Sequence, residues 1–453
     1  MNIDIVILAA GKGTRMKSAL PKVLHKLAGK NLLNHVIDAA HSIDSSKLHI
    51  VVGHQAKAVE QAIDNNAINW IEQTEQLGTG HAVQQALPNI DTDGKVLILY
   101  GDVPLITPET LQTLVNTADE STLALLTVSM DDPTGYGRII RDSDSNVVGI
   151  VEHKDASEAQ HAIAEVNTGI LALNSDKLHE WLPQLNNDNS QQEYYLTDII
   201  AMAANAGIVV KAVHPNSVYE VQGVNDRCQL NELERWYQLQ RANNLMLEGV
   251  TLADPARVDV RGTLTTGKDV IIDINAIFEG RVDIADNVVI GPNVLIRNSS
   301  IGAGTHIEAN TVIEDAVIEN SCTIGPFARI RPGTKLEDGA KVGNFVETKK
   351  STIGKGAKVN HLTYIGDAEI GAGTNIGAGT ITCNYDGVNK FKTNIGKNVF
   401  IGSNSSLVAP VNISDNATVG AGSTVTKDIN EGELAIGRGK QKNIRGWARP
   451  SKK

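Results

Sequence analysis

An aliphatic residue at every sixth position is the feature that most constrains this chain. Ile395, Ile401, Leu407, Ile413, Val419 and Val425 are spaced by six without a slip. Ile324, Ile330, Leu336 and Val342 keep the same step, as do Ile284, Ile290 and Ile296, and Ile353, Val359 and Ile365. Glycine follows directly at Ile290, Ile301, Ile324, Ile353, Ile365 and Ile401. An α-helix repeats at 3.6 residues and a strand at two, so neither alone explains a sustained six. A triangular parallel β-helix does: each face takes about six residues, one aliphatic per face points inward, and small residues turn the corners. Three hexads make a coil, which predicts on the order of ten coils beyond residue 250. The register breaks once at length, in TCNYDGVNKFKTN between Ile381 and Ile395. An insertion of that size in a strict repeat points to function.

The 453 residues exceed one ordinary core. Residues 1–225 follow a different grammar from the repeat. Ile3–Ala9, Leu48–Val52, Val96–Tyr100, Leu123–Val128 and Val209–Val213 read as strands with helical patterns between most of them. That alternation predicts a mostly parallel sheet with ligands at the carboxyl ends of its strands. Residues 226–248 lack Gly and Pro and carry Leu230, Leu233, Trp236 and Tyr237 at helical spacing. The expected organisation is therefore an α/β domain (1–225), a linker helix (226–248) and a repeat domain (249–453). A net charge of −11 argues against nucleic acid as a partner. Three cysteines far apart suggest neither a disulfide framework nor a zinc site. The apolar start is too short for a membrane span and lacks a basic leader, so a cytoplasmic location is expected.

The first strand runs into Leu8-Ala9-Ala10-Gly11-Lys12-Gly13-Thr14-Arg15-Met16. Backbone N–H groups in such a turn can cradle phosphate or a base edge. Met16 occupies the place of the third glycine of the dinucleotide fingerprint, and no Gly-Lys-Ser/Thr follows for a P-loop. Arg15 and Lys22 add cations near the same strand end. Asp102, after Val96–Tyr100, is placed to hold Mg2+ or to cap a helix. Asn225 reads as the N-cap of the linker helix, a role compatible with a metal ligand. In the repeat region Arg331, Lys349, His361, Tyr364 and Asn375 fall where coils of about 18 residues would stack them. A neutral imidazole such as His361 suits proton removal from an attacking amine.

LAAGKGTRM, Lys22, QLGTGHA (76–82), YGD (100–102), YGR (136–138), Glu152 and VNTG (166–169) resemble sugar-1-phosphate nucleotidyltransferases. With NHLTYIGD and the repeats behind, the whole chain resembles the bacterial family of bifunctional N-acetylglucosamine-1-phosphate uridyltransferases and glucosamine-1-phosphate N-acetyltransferases. The resemblance implies a Rossmann-like nucleotidyltransferase domain followed by a left-handed parallel β-helix. It implies that Leu8, Ala9, Ala10, Gly11, Lys22, Gln73, Gly78, Thr79, Tyr100, Gly101 and Asp102 bind UTP, with Lys22 and Arg15 catalytic. Gly137, Glu152, Asn167 and Asn225 would bind the amino sugar, and Asp102 and Asn225 would ligate Mg2+. Behind, His361 would be the base. Arg331, Lys349, Tyr364 and Asn375 would take glucosamine 1-phosphate, and Ala378, Asn384, Tyr385, Ser403, Ala421 and Arg438 acetyl-CoA. The tail from Arg438 onward carries seven Lys or Arg and no acid, matching coenzyme A phosphates. The family further implies N-acetylglucosamine 1-phosphate as the intermediate, a homotrimer, and a product feeding peptidoglycan and lipopolysaccharide synthesis. The alternative is a nucleotidyltransferase whose solenoid only assembles or regulates.

Overall fold

The structure, a computed structural model, describes residues 2–44 and 46–450 and divides into two compact units, Met1–Trp236 and Tyr237–Lys453. The first unit is a nine-stranded mixed sheet. Its strands are β1 (Ile3–Ala9), β2 (Ser46–Val52), β3 (Ile68–Glu72), β4 (Lys95–Tyr100), β5 (Thr122–Ser129), β6 (Arg138–Arg141), β7 (Val147–Val151), β8 (Glu165–Asn174) and β9 (Val209–Val213). The main path runs β9-β5-β8-β4-β1-β2-β3, with β6 paired to β8 and β7. All seven residues of β1 are buried, as expected of a central strand covered on both faces. Leu8 lies opposite Val51 and Tyr100, so β1, β2 and β4 end at one level. That alignment gathers Ala10-Gly11 and Gly101-Asp102 at one edge.

Sequence patterning missed β3, β6, β7 and β8. The last is antiparallel to both β4 and β5, and its register shifts between Asn167 and Leu171. The shift falls around Gly169, at φ 84°. Alternation is lost there, which hides the strand from a period-two reading.

A helix runs Arg227–Leu247. Asp226 Oδ1 accepts from the N–H of Cys228 (2.8 Å) and Gln229 (2.9 Å), so Asp226 is the N-cap and not Asn225. Beyond the helix, Gly249 adopts φ 100° and its N–H donates to Met246 O, the left-handed stop that glycine favours.

In the second unit all strands of the two large sheets pair in parallel. The sixteen-stranded sheet is two faces joined through Leu295–Ile301, which pairs with Val312–Glu314 on one and Val317–Ile318 on the other. With the eleven-stranded sheet these make the three faces of a solenoid. Ile296, Ile307, Ile313, Ile324, Ile330, Leu336 and Val342 are buried within it and form one continuous apolar stack with their neighbours. Successive coils advance by 17 or 18 residues: Arg297 reaches Glu279 across 18 and Glu314 across 17. The short coils contain a five-residue side, as from Ile296 to Ile301, which is why the hexads appear in sequence as separate runs. At two inward positions threonine replaces the aliphatic. Thr348 sits with its hydroxyl 3.2 Å from that of Thr334, and Thr382 receives the N–H of Gly366 at 2.8 Å. The long insertion stretches one coil to 25 residues between Thr374 and Val399. It closes on itself through Phe391 N–H to Asn384 O (2.8 Å) and a Tyr385–Lys390 bridge.

Candidate functional sites

Two adjoining cavities open at the strand ends of the first unit. One, of about 300 Å3, is lined by Leu8, Ala10, Gly11, Gln73, Gly78 and Thr79 among others. The second, of about 230 Å3, holds Arg15, Gly135, Tyr136, Thr168 and Asn225. Tyr100 and Asp102 line both, so the cavities meet where a reaction between two substrates would occur. Lys22, on the turn after Pro21, points its ammonium into this junction. It is paired with Asp102 and donates to Asn225 Oδ1 at 3.3 Å. Two hard oxygen donors thus already converge on one cation.

Tyr100 is half-buried between the cavities, and desolvation with the nearby charges of Glu152 and Asp102 holds its phenol well above the usual range. Its ring lies over Gly169, where any Cβ would approach to 2.5 Å of the ring carbon. Asn167 Oδ1 accepts from Gly169 N–H at 2.9 Å, and its own N–H donates to Gly137 O at 2.9 Å. Glu152 receives the Thr197 hydroxyl at 3.1 Å. Burial pushes its carboxyl above the ordinary range. Gln73 is buried and donates through Nε2 to Gly78 O at 3.2 Å, tying two parts of the first cavity together. The expected residues of this unit therefore lie at one edge of one sheet. Gln76, which also lines the first cavity, opens the quoted QLGTGHA run without having been given a role, and Thr197 carries no motif that patterning detects.

In the second unit the register stacks charged side chains in a column along one face. Arg261 pairs with Glu279 (3.2 Å), Glu279 with Arg297, and Arg297 with Glu314 (2.9 Å). The alternation fails one coil later. Ile330 is in register with Thr348, so Arg331 stands over Lys349. Lys390, from the insertion, comes close enough to push the Lys349 ammonium below its ordinary value, with Arg331 adding to the effect and Asp367 opposing it. Glu347, on Arg331 at 2.7 Å, is the carboxylate bonded to this trio among the described residues. Three cations share one bonded carboxylate, and that excess of positive charge suits an anion. Tyr364 is in register with Glu347, and its hydroxyl leans over Gly366, where a Cβ would meet it at 2.4 Å.

His361 lies around the corner, on the eleven-stranded sheet, exposed. Asn375 lies on the next strand of that sheet, opposite Lys358. Ala378, Ser403 and Ala421 fall at one corner of successive coils: Asn404 N–H donates to Ala378 O and Gly422 N–H to Ser403 O, both at 2.8 Å. Arg438 donates to Ala421 O at 2.8 Å, which places the start of the tail on this corner. Asn384 is tied to Asp367, and the Tyr385 ring is exposed. Sequence reading missed Lys390 and Glu347. The first sits in the insertion that sequence had singled out, and the second lies two residues before Lys349.

Comparisons with known proteins give the family. The MobA-like NTP transferase domain family matches residues 5–189, bacterial transferase hexapeptide (six repeats) matches 315–350, and hexapeptide repeat of succinyl-transferase matches 392–427. The bifunctional protein GlmU of Marinobacter nauticus is 59% identical over 99% of both chains. That of Cellvibrio japonicus is 59% identical over the full length of both, and that of Pseudoalteromonas atlantica 55% identical over the full length of both. The chain belongs to the bifunctional GlmU family. Membership covers both units and sets aside the reading in which the GlmU solenoid serves only for assembly. Among the described residues no helix is long and apolar enough to cross a membrane.

Proposed function

We infer that the chain makes UDP-N-acetylglucosamine by two transfers. The second unit moves acetyl from acetyl-CoA to the amine of glucosamine 1-phosphate. The first unit then moves uridylyl from UTP to N-acetylglucosamine 1-phosphate, releasing pyrophosphate. The observation that favours two reactions over one is the failure of the charge column at Lys349, where Arg331 and Lys390 add to the charge, one corner away from the sheet that carries His361. A solenoid used only for assembly has no need of three cations gathered around one bonded carboxylate.

In the first unit both reactants are anions, so positioning and charge neutralisation carry the catalysis. Leu8–Gly11, Gln73, Gly78, Thr79 and Gly101 would seat the nucleotide, and Gly137, Glu152, Asn167 and Asn225 the sugar, on either side of Tyr100 and Asp102. Lys22 and Arg15 supply fixed positive charge for the phosphates. Asp102 and Asn225 are the residues that would hold Mg2+: their oxygens already converge on the Lys22 ammonium, and a hard oxygen donor set suits that ion. Bound there, Mg2+ would offset charge building on the phosphates.

In the second unit Arg331, Lys349, Tyr364 and Asn375 would seat glucosamine 1-phosphate, its phosphate on the cation cluster. His361 takes the proton as the amine attacks the thioester carbonyl, and the thiolate of coenzyme A leaves. Ala378, Asn384, Tyr385, Ser403, Ala421 and Arg438 would hold the acetyl-CoA. The exposed flat faces of the coils suit a homotrimer, and a cytoplasmic location fits both co-substrates.

The test is a two-product assay on the purified chain, with coenzyme A and pyrophosphate followed separately. We expect His361→Gln to stop coenzyme A release and spare pyrophosphate release. Retention of the acetyl transfer in that variant would overturn the assignment of the base.

A further inference from the structure

We propose that Asn344 is the positioning residue for the acetyltransferase base, fixing the His361 ring in the tautomer whose Nε2 is free to take a proton. Asn344 and His361 are register partners on adjacent coils. Asn344 Oδ1 lies 2.9 Å from His361 Nδ1. An amide oxygen accepts and does not donate, so this contact places the imidazole proton on Nδ1. Nε2 is left with its lone pair.

The local backbone supports this placement. On the eleven-stranded sheet the strands are two residues long, except the pair Lys341–Asn344 and Lys358–His361, which are four. The extra length carries the pairing out to Asn344 and His361. Gly343 allows it, because a Cβ there would lie 2.0 Å from Asn360 O. Leu362 N–H donates to Asn344 O at 3.1 Å, and the Thr363 hydroxyl to His361 O at 2.6 Å, so the backbone is pinned on both sides of the ring. Lys341 and Lys358 stand three residues back on the same strands, and Glu347 and Tyr364 follow the corner. Among the described residues Asn344 is the hydrogen-bond partner of the ring.

The inference rests on His361 being the base, so its test is run beside His361→Gln in the full-length protein. Acetyl transfer is followed against pH, with uridylyl transfer as the control for folding. Asn344→Leu removes the acceptor. It should lower kcat about tenfold at the alkaline plateau and leave KM for glucosamine 1-phosphate unchanged. Asn344→Asp keeps an acceptor but adds a negative charge, which stabilises the imidazolium. It should retain near-normal kcat at the plateau and move the acid limb up by about one pH unit. If the Leu variant does not fold, the direction of the shift in the Asp variant decides. A normal kcat and acid limb in Asn344→Leu, or an unmoved acid limb in Asn344→Asp, overturns the proposal while a loss in His361→Gln leaves the base assignment standing. A fully active His361→Gln overturns both.

Discussion

From Arg261 to Arg331 the exposed column alternates arginine with glutamate from coil to coil, whereas its next places are Lys349 and then Gly366. The buried row beneath stays closed across this boundary, with Thr348 standing between Ile330 and Ile365: Ile313, Ile330, Thr348 and Ile365 are all fully enclosed. Fold and function are therefore written on different faces of the same strand, one pointing in and one out. The first unit handles its cation in a third way. Lys22 is neutralised by Asp102 inside the cavity. The first unit thus matches its cation with a carboxylate inside the cavity, while the second holds three cations against one bonded carboxylate.

Four experiments test that contrast. The largest effect should come from Asp102→Asn, which leaves Lys22 without its counter-charge and removes a metal-ligand oxygen. We expect uridylyl transfer to fall about a thousandfold and acetyl transfer to hold. Comparable loss of both products would mean that the units are not chemically separate. Next is Lys349→Glu, which restores alternation beneath Arg331. Acetyl transfer should drop about a hundredfold in kcat/KM, while the thermal midpoint stays the same or rises slightly. A variant that keeps its affinity for glucosamine 1-phosphate would remove the cluster from the sugar-phosphate site.

A smaller, pH-dependent effect belongs to Glu152. Burial holds its carboxyl above the ordinary range, so on acidification it protonates before exposed carboxylates do. KM for N-acetylglucosamine 1-phosphate should rise about tenfold as pH falls through that raised value, with KM for UTP steadier. Glu152→Gln should flatten this acid limb; a limb that persists unchanged assigns it to another group. Arg297→Ala should do least. Its partners Glu279 and Glu314 lie on the exposed ladder, and the loss should cost at most about 1 kcal/mol in chemical denaturation with both activities intact. A fall in acetyl transfer would show that the ladder takes part in the site.

The repeat was legible because one inward aliphatic per face is a strict steric demand. Its slips were not: a five-residue side such as Ile313 to Ile318 looks in sequence like the end of a run, and Thr348 and Thr382 fill inward places without an aliphatic label. The sites divide similarly. Residues at strand ends or in the insertion, such as Asp102 and Tyr385, announce themselves by position. The antiparallel β8, which brings Asn167 under Gly137, is obscured by its own irregularity at Gly169. Asn225 shows the limit of a local signal. A helix start was read correctly nearby, but the cap is Asp226, and Asn225 turns to Lys22 instead. Stacking across 17 or 18 residues, which sets Arg331 over Lys349 and Asn344 on His361, needs the exact coil lengths and so could not be placed from hexads alone.

The stacking of coil on coil has a mechanical consequence. A stack in which each turn touches only the turns beside it behaves as a one-dimensional spring, opening from its free ends and zipping shut again. His361 lies several turns from the last strand, Leu434–Ala435, while Arg438 follows that strand almost at once. The base thus rests in the stiff middle of the spring. Arg438, at its loose end, can lift from Ala421 without disturbing the contact between His361 and Asn344.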